Sequence, residues 1–177
     1  MVIFNRLPKL SQIASVYAVI VLVIYIWTIL WSFWKLPSWL FFLSIGEILT
    51  IYAYSFATNL LESLLILCLP LGLGVILPRK WFLDVFVSRG VIVVLSVLGF
   101  AAYILTQFNS REDYPGNIIR LFPIVLLASL VVAFFVGRVK FLTRAIDFIS
   151  EQATVFLFIS IPLSLLALLV ILVRVIF

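Results

Sequence analysis

The chain of 177 residues has no histidine and a single cysteine, Cys68, and only 11% of its residues are charged. A His-ligated haem, a structural zinc site and a dithiol redox centre all need side chains that are missing here. A single cysteine also excludes a disulfide within the chain. The sequence therefore predicts neither a metal site nor a cofactor.

Sequence motifs of the common enzyme classes are missing as well. The chain contains no Gly-rich nucleotide loop, no zinc-protease helix and no Gly-x-Ser-x-Gly turn. The acidic pair Glu112 and Asp113 lies in a short hydrophilic turn beside Arg111, with no second catalytic group nearby in the sequence. We expect a protein that is not an enzyme, and an intramembrane enzyme acting on lipids is the least favoured hypothesis.

Hydrophobic residues make up 66% of the chain. A soluble domain carries about a quarter of its residues as charged side chains, which is far more than this chain has. The alternating polarity of β-barrel strands is not found. The sequence therefore predicts an all-α, polytopic integral membrane protein of the plasma membrane, with residues 1–177 forming one helical bundle.

Several apolar runs reach the roughly 20 residues that a helix needs to cross a bilayer. The predicted transmembrane spans cover residues 12–34, 56–77, 90–108, 118–137 and 153–176. Amphipathic segments that we expect at the membrane interface cover residues 38–54, 78–88 and 138–151, the last running directly into the final span. Lys35 and Pro37 are expected to end the first helix, next to a cluster of tryptophans typical of a membrane interface.

The stretch 38–77 leaves two alternatives open, because one helix of that length would be about twice as long as the bilayer core is thick. In the first, residues 38–54 lie at the interface and the chain has five spans. In the second, two short spans turn near Thr58 and Asn59, and the chain has six.

The distribution of basic residues favours five spans. The chain has 12 Lys and Arg against 7 Asp and Glu, for a net charge of +5. With five spans, eight basic residues share one side: Arg6, Lys9, Arg79, Lys80, Arg89, Arg138, Lys140 and Arg144. The other side has Lys35, Arg111, Arg120 and Arg174. This bias predicts a cytoplasmic N-terminus and an external C-terminus, with the basic side facing anionic headgroups rather than nucleic acid.

Two glutamates interrupt the apolar stretch 38–77. On a continuous helix, residues Glu47, Thr50, Tyr54, Thr58 and Glu62 lie within a sector about 120° wide. Ionisable residues within a membrane usually face a bundle interior, a cavity or a partner. This stripe is a candidate path for protons, cations or a lipid-linked substrate.

A structural role for the glutamates is the competing interpretation. If the span begins near Phe56, Glu47 is interfacial and Glu62 lies about 9 Å inside the outer boundary. There it would reach headgroups or pair with Arg120 or Arg174. A contact with another subunit is the third alternative.

A second pattern concerns helix packing. Ser129, Ala133 and Gly137 recur at every fourth position of the fourth predicted span. Small residues at this spacing allow helix backbones to approach closely in lipid. We expect them to pack within the bundle, with homo-oligomerisation as the alternative.

These observations lead to two hypotheses about function. The first is a non-enzymatic accessory or scaffold subunit of a membrane complex, since the chain offers helix-packing surface and no chemical motif. The second is a small transporter or channel that uses the intramembrane Glu stripe. No motif identifies a family.

Overall fold

The computed structural model describes residues 8–108 and 116–176, which form helices and short connections without any strand. The helices are α1 (Leu10–Phe42), α2 (Ile45–Ile76), α3 (Arg79–Phe82), α4 (Phe86–Phe108), α5 (Gly116–Ile119), α6 (Phe122–Val136) and α7 (Lys140–Ile176), with a 3-10 turn at Leu83–Val85 before α4. The all-α prediction is confirmed. The acidic turn that contains Glu112 and Asp113 lies outside the described residues.

The first helix is longer than predicted. Proline removes a backbone donor and usually disrupts a helix, yet α1 continues past Lys35 and Pro37 to Phe42. The backbone N–H of Leu43 still donates to the carbonyl of Trp39 at 2.8 Å. The Trp39 ring also packs edge-on against Tyr52 of α2 at 6.2 Å. The predicted end at Pro37 is therefore wrong, because packing against α2 supports one further turn.

The second helix is continuous, so the alternative with a turn at Thr58 and Asn59 is wrong. Ser44 caps its start, and the helix then runs through Pro70 to Ile76. No separate interfacial helix occupies residues 38–54, because they form the end of α1, a two-residue connection and the first turns of α2. The stretch 38–77 thus contains the last residues of α1 and one long helix, α2.

The helices pass up and down through one bundle. Hydrogen bonds between Tyr17 and Ser63 and between Thr28 and Asn59 show that α1 and α2 are antiparallel. The end of α7 reaches the start of α2, where Arg174 donates to Thr50. We call the end where α1, α4 and α7 begin the basic end, and the other the opposite end.

The core lies around α1, which contacts α2, α4 and α7. Val16 and Ile20 of α1 are fully buried, as are Val93 and Val94 of α4. Gly90 brings α4 close to both neighbours, since a Cβ there would lie 3.3 Å from Val16 and 3.6 Å from Pro70. Such close approach at a small residue is typical of helix packing in membranes.

The segment 78–88 differs from the expected interfacial helix. Phe82 and Phe86 are only 1% and 0% exposed, and their rings meet edge to face at 5.8 Å. Trp81 alone among these aromatic residues remains largely exposed. The apolar side of this connector therefore packs into the protein core instead of lying flat on a membrane surface.

The segment 138–151 continues into the last predicted span, as expected. Helix α7 runs without a break from Lys140 through Pro162 to Ile176. Phe141 and Ile149 on its early apolar side are 79% and 60% exposed. An exposed apolar surface of this kind is suited to lipid.

Four helical stretches are long and apolar enough to cross a membrane: Leu10–Phe42, Ile45–Ile76, Arg79–Thr106 and Lys140–Arg174. The fifth apolar helix, α6, has 15 residues. It corresponds to the predicted span 118–137, which the structure divides into the short α5, a turn and α6. The architecture is consistent with a membrane protein of several helices.

Candidate functional site

The polar stripe lies on the more exposed side of α2. Glu47, Thr58 and Glu62 are exposed, and Tyr54 is 47% exposed. The buried side chains of α2, including Asn59 and Ser63, point in other directions around the helix. Since α2 is continuous, these residues form one strip along the helix, which borders α7 at Thr50. We call it the α2 stripe: Glu47, Thr50, Tyr54, Thr58 and Glu62.

Glu47 has a structural partner at the start of α2. Its Oε2 accepts hydrogen bonds from the backbone N–H and the hydroxyl of Ser44, both at 2.8 Å. In return the Ser44 Oγ accepts from the Glu47 N–H at 3.4 Å. This reciprocal pair is a capping box, which satisfies backbone donors at a helix start. The Ser-x-x-Glu spacing of this cap is a signal that can be read directly in the sequence.

Thr58 satisfies its hydroxyl within its own helix. The Oγ1 donates toward the backbone carbonyls of Tyr54 and Ser55, each at 2.9 Å. A threonine bonded in this way can face an apolar environment at little cost. Within the α2 stripe, the carboxylate of Glu62 is thus the group with the highest energetic cost in an apolar environment.

Glu62 lies near the middle of α2. It is 17 residues after Ile45 and 14 before Ile76, which correspond to about 26 Å and 21 Å of helix. The predicted distance of about 9 Å between Glu62 and the outer membrane boundary follows from a span that starts near Phe56. Because α2 starts eleven residues earlier, at Ile45, Glu62 is much deeper along the helix than that estimate.

A groove of about 210 Å³ lies next to Glu62, between α2 and α4 with α1 as its floor. Thr28 is the other polar residue that lines it, and the walls are otherwise apolar, as at Leu98 and Leu105. The groove therefore brings one carboxylate and one hydroxyl together at mid-height of the bundle.

The two arginines proposed as partners of Glu62 lie elsewhere. Arg174 donates from Nη1 to the Thr50 hydroxyl at 2.6 Å, near the start of α2. Arg120 lies in the turn between α5 and α6. Within residues 8–108 and 116–176, Glu62 has no Lys or Arg at ion-pair distance. The interpretation of Glu62 as a polar path or pairing site stays a prediction.

Sequence reasoning missed the polar contacts between α1 and α2. Thr28 donates to the Asn59 Oδ1 at 3.0 Å, and the hydroxyls of Tyr17 and Ser63 lie 3.2 Å apart. Asn59 and Ser63 are 5% and 0% exposed. Buried polar groups of this kind fix how two helices are rotated against each other.

The small residues Ser129, Ala133 and Gly137 face α4. Ser129 and Ala133 are 3% and 1% exposed, and α4 is the main helix in contact with α6. A Cβ on Gly137 would lie 2.5 Å from Arg89 Nε. In this structure the ridge therefore serves packing within the bundle, and Gly137 leaves space for an arginine.

Arg89 is a buried cation that sequence reasoning counted only as a topological charge. Its side chain is 6% exposed, and Nη1 donates to the backbone carbonyl of Trp81. Its Nε has no hydrogen-bond partner within the described residues. The guanidinium lies 5.9 Å from the Phe134 ring, and Arg138 lies 4.4 Å from the same ring. Two positive charges thus flank one aromatic side chain.

The charge grouping predicted for five spans agrees with the helix directions. The described basic residues at the basic end are Lys9, Arg79, Lys80, Arg89, Arg138, Lys140 and Arg144, and those toward the opposite end are Lys35, Arg120 and Arg174. Arg6 and Arg111 lie outside the described residues. The basic end is therefore the more positive end of the described bundle.

Within the described parts of the chain, no group of three or more acidic or thiol side chains is arranged to hold a metal ion. No protein-family model, curated protein or solved structure matches this chain. The candidate functional features of the described chain are the α2 stripe, the groove beside Glu62 and the surroundings of Arg89.

Proposed function

We propose that the protein is a multi-pass plasma-membrane protein that acts, without enzymatic activity, as an accessory or scaffold subunit. In this proposal the α2 stripe docks a transmembrane helix of a partner protein. The single observation that carries the proposal is the exposed position of Glu62 at mid-height of a predominantly apolar helix.

A carboxylate in contact with lipid is energetically unfavourable. An acidic side chain at the centre of a transmembrane helix costs about 2.5–3.5 kcal/mol on insertion scales. Glu62 has no cation at ion-pair distance among residues 8–108 and 116–176. A partner helix that presents a hydrogen-bond donor or a cation would remove most of that cost, and the hydroxyl groups of Tyr54 and Thr58 would add polar contacts beside it.

The direction of the stripe argues against a pathway inside this bundle alone. A conduction path needs polar groups that converge on one cavity, whereas Glu47, Tyr54 and Thr58 lie on the outer surface of α2. Glu47 is also engaged in the capping box with Ser44. An accessory function that uses the stripe as a contact surface fits this arrangement better.

Five crossings are the arrangement that we propose. Helices α4 and α7 both run from the basic end to the opposite end, so the chain must return between them. The 15 residues of α6 span about 22 Å, and α5 with the following turn adds length toward the bilayer core thickness of about 30 Å. The excess of basic residues supports a cytoplasmic basic end with the C-terminus outside.

Cysteine crosslinking tests the docking surface, because Cys68 is the only native cysteine. A Cys68→Ser background carrying Thr58→Cys should yield a discrete adduct with a partner chain in native membranes. Leu166→Cys in the same background is the matched control, since Leu166 is 61% exposed on α7. Equal adduct formation at both positions, or none at Thr58→Cys, would contradict the proposal.

A small transporter or channel is the second candidate, and the groove beside Glu62 favours it. Thr28 and Glu62 would offer oxygen ligands to a proton or cation halfway along the bundle. Flux into proteoliposomes that contain the purified protein would test this candidate. Glu62→Gln should abolish the flux, whereas equal flux in both proteins would exclude the candidate.

A further inference from the structure

Arg89 has more hydrogen-bonding capacity than the structure uses. A guanidinium carries five N–H donors and keeps its charge at any physiological pH. The described partner of Arg89 is the carbonyl of Trp81, while Nε is buried without a partner. Buried charges in proteins are normally paired. An arginine that is 6% exposed and paired only in part calls for a counter-ion.

The surroundings of Arg89 contain an excess of positive charge. Arg138 lies on the same Phe134 ring and adds a second guanidinium. The carboxylate of Asp84 lies close enough to attract Arg89 by charge, but Asp84 is exposed and forms no ion pair with Arg89 in the described structure. Guanidinium pairs bind phosphate groups strongly because several N–H donors match its oxygens. The local charge is therefore complementary to a phosphate or phosphodiester.

An apolar cavity of about 290 Å³ adjoins the Arg89 side chain. It lies between the end of α2, α3, α4 and α6, and its lining includes Leu77, Trp81, Leu127 and Val131. From Phe134 to Leu127 the cavity follows α6 for about 10 Å. A free phosphate ion would gain nothing from such walls, whereas an acyl chain would bury apolar surface there.

We propose that this cavity binds one anionic phospholipid at the basic end of the bundle. The phosphate lies between Arg89 and Arg138, and the upper part of an acyl chain lies along α6 toward Leu127. Trp81, which is 60% exposed at the edge of the cavity, contacts the glycerol region. The inference rests on the proposed membrane location, but not on the partner helix that we propose for the α2 stripe.

Native mass spectrometry of the purified chain tests the site directly. The protein is released from mixed micelles that contain equal amounts of phosphatidylglycerol and phosphatidylcholine, and retained lipids are counted. We expect one retained phosphatidylglycerol per chain. Arg138→Gln should lower its retention about tenfold, the effect of losing about 1.4 kcal/mol of binding. The matched control, Arg144→Gln, changes an exposed arginine at the same end and should leave retention unchanged.

A cavity-blocking variant and a competition with inorganic phosphate distinguish a lipid site from a simple phosphate site. Val131→Trp blocks the cavity from a position that is 56% exposed, so the fold tolerates it, and it should abolish retention without removing a charge. Retention that survives Val131→Trp, or that is lost equally in Arg144→Gln, would overturn the proposal. Displacement of the lipid by inorganic phosphate alone would show a phosphate site rather than a lipid site. None of these results depends on a partner protein, so failure here differs from failure of the docking proposal.

Discussion

Thr28 of α1 donates a hydrogen bond to the buried Asn59 of α2 at 3.0 Å, across the α1–α2 interface. Asn59 lies three residues before Glu62, about 60° away around the helix axis. Asn59 is buried and Glu62 is exposed, so the edge of the α1–α2 interface lies between them. The bond therefore helps to fix the rotation of α2 that keeps the α2 stripe facing outward. Thr28 also lines the groove beside Glu62, so the pair connects the packing of the bundle with its candidate site.

The first prediction concerns this pair. Thr28→Val keeps the shape of the side chain but leaves the buried Asn59 amide without its described partner. We expect the free energy of unfolding in mild detergent to fall by about 1–3 kcal/mol, since an unsatisfied buried group bears its desolvation cost. Thr28→Val combined with Asn59→Leu should recover most of the loss. The matched control is Thr106→Val, because the Thr106 hydroxyl is exposed and bonds only within its own helix. Equal losses in the single and double variants would contradict the assigned bond.

The second prediction compares two glycines. A Cβ at Gly137 would meet Arg89 Nε at 2.5 Å, whereas nothing lies within 4 Å of a Cβ at Gly99. Gly137→Ala should therefore destabilise the protein by about 1–3 kcal/mol through displacement of the arginine. Gly99→Ala should be neutral or stabilising by up to about 1 kcal/mol, because alanine restricts the unfolded chain. Thermal unfolding in detergent measures both, and equal behaviour of the two variants would count against the close α4–α6 contact.

The third prediction separates a capping role of Glu47 from a role in ion movement. Ser44→Ala removes the cap of α2 and should lower the free energy of unfolding by about 1 kcal/mol. Glu47→Gln keeps the geometry of a capping box, in which glutamine substitutes for glutamate, and should change stability little. Any flux in proteoliposomes should also survive Glu47→Gln. Loss of flux in that variant with unchanged stability would place Glu47 in a path instead.

The fourth prediction concerns topology. In a Cys68→Ser background, Ile45→Cys should react with a membrane-impermeant maleimide in intact cells, because it lies exposed at the opposite end. Lys140→Cys at the basic end should react only after the cells are permeabilised. The two positions test whether α6 returns the chain across the bilayer. Labelling of Lys140→Cys in intact cells would exclude the five-crossing arrangement with an internal basic end.

The helical class is predictable from the sequence, because long apolar runs are local signals. Pro37 shows where a local rule fails. A proline is expected to end a helix, but the contact between Trp39 and Tyr52 supports a further turn of α1. That contact depends on the α1–α2 connection, which residue propensities do not describe.

The candidate site was predictable only in part. Periodicity places Glu62 and Thr58 on one side of α2, but it does not tell whether that side faces a core or the outside. The Thr28–Asn59 bond joins residues 31 positions apart, and its register depends on both helices. Arg89 lies against Gly137 at the end of α6, where a Cβ would be 2.5 Å from Arg89 Nε. Such pairings arise from packing, so a single sequence without the fold does not reveal them.

The central claim is that the α2 stripe docks a partner helix through Glu62. The most direct measurement is the mass of the protein purified from native membranes in mild detergent, for the wild-type chain and for Glu62→Leu. We predict that the wild-type chain, whose own mass is 20.1 kDa, runs as a complex with a second membrane protein. Glu62→Leu should run as a folded single chain that has lost this protein. A wild-type chain that is strictly monomeric and has no partner bound would contradict the claim.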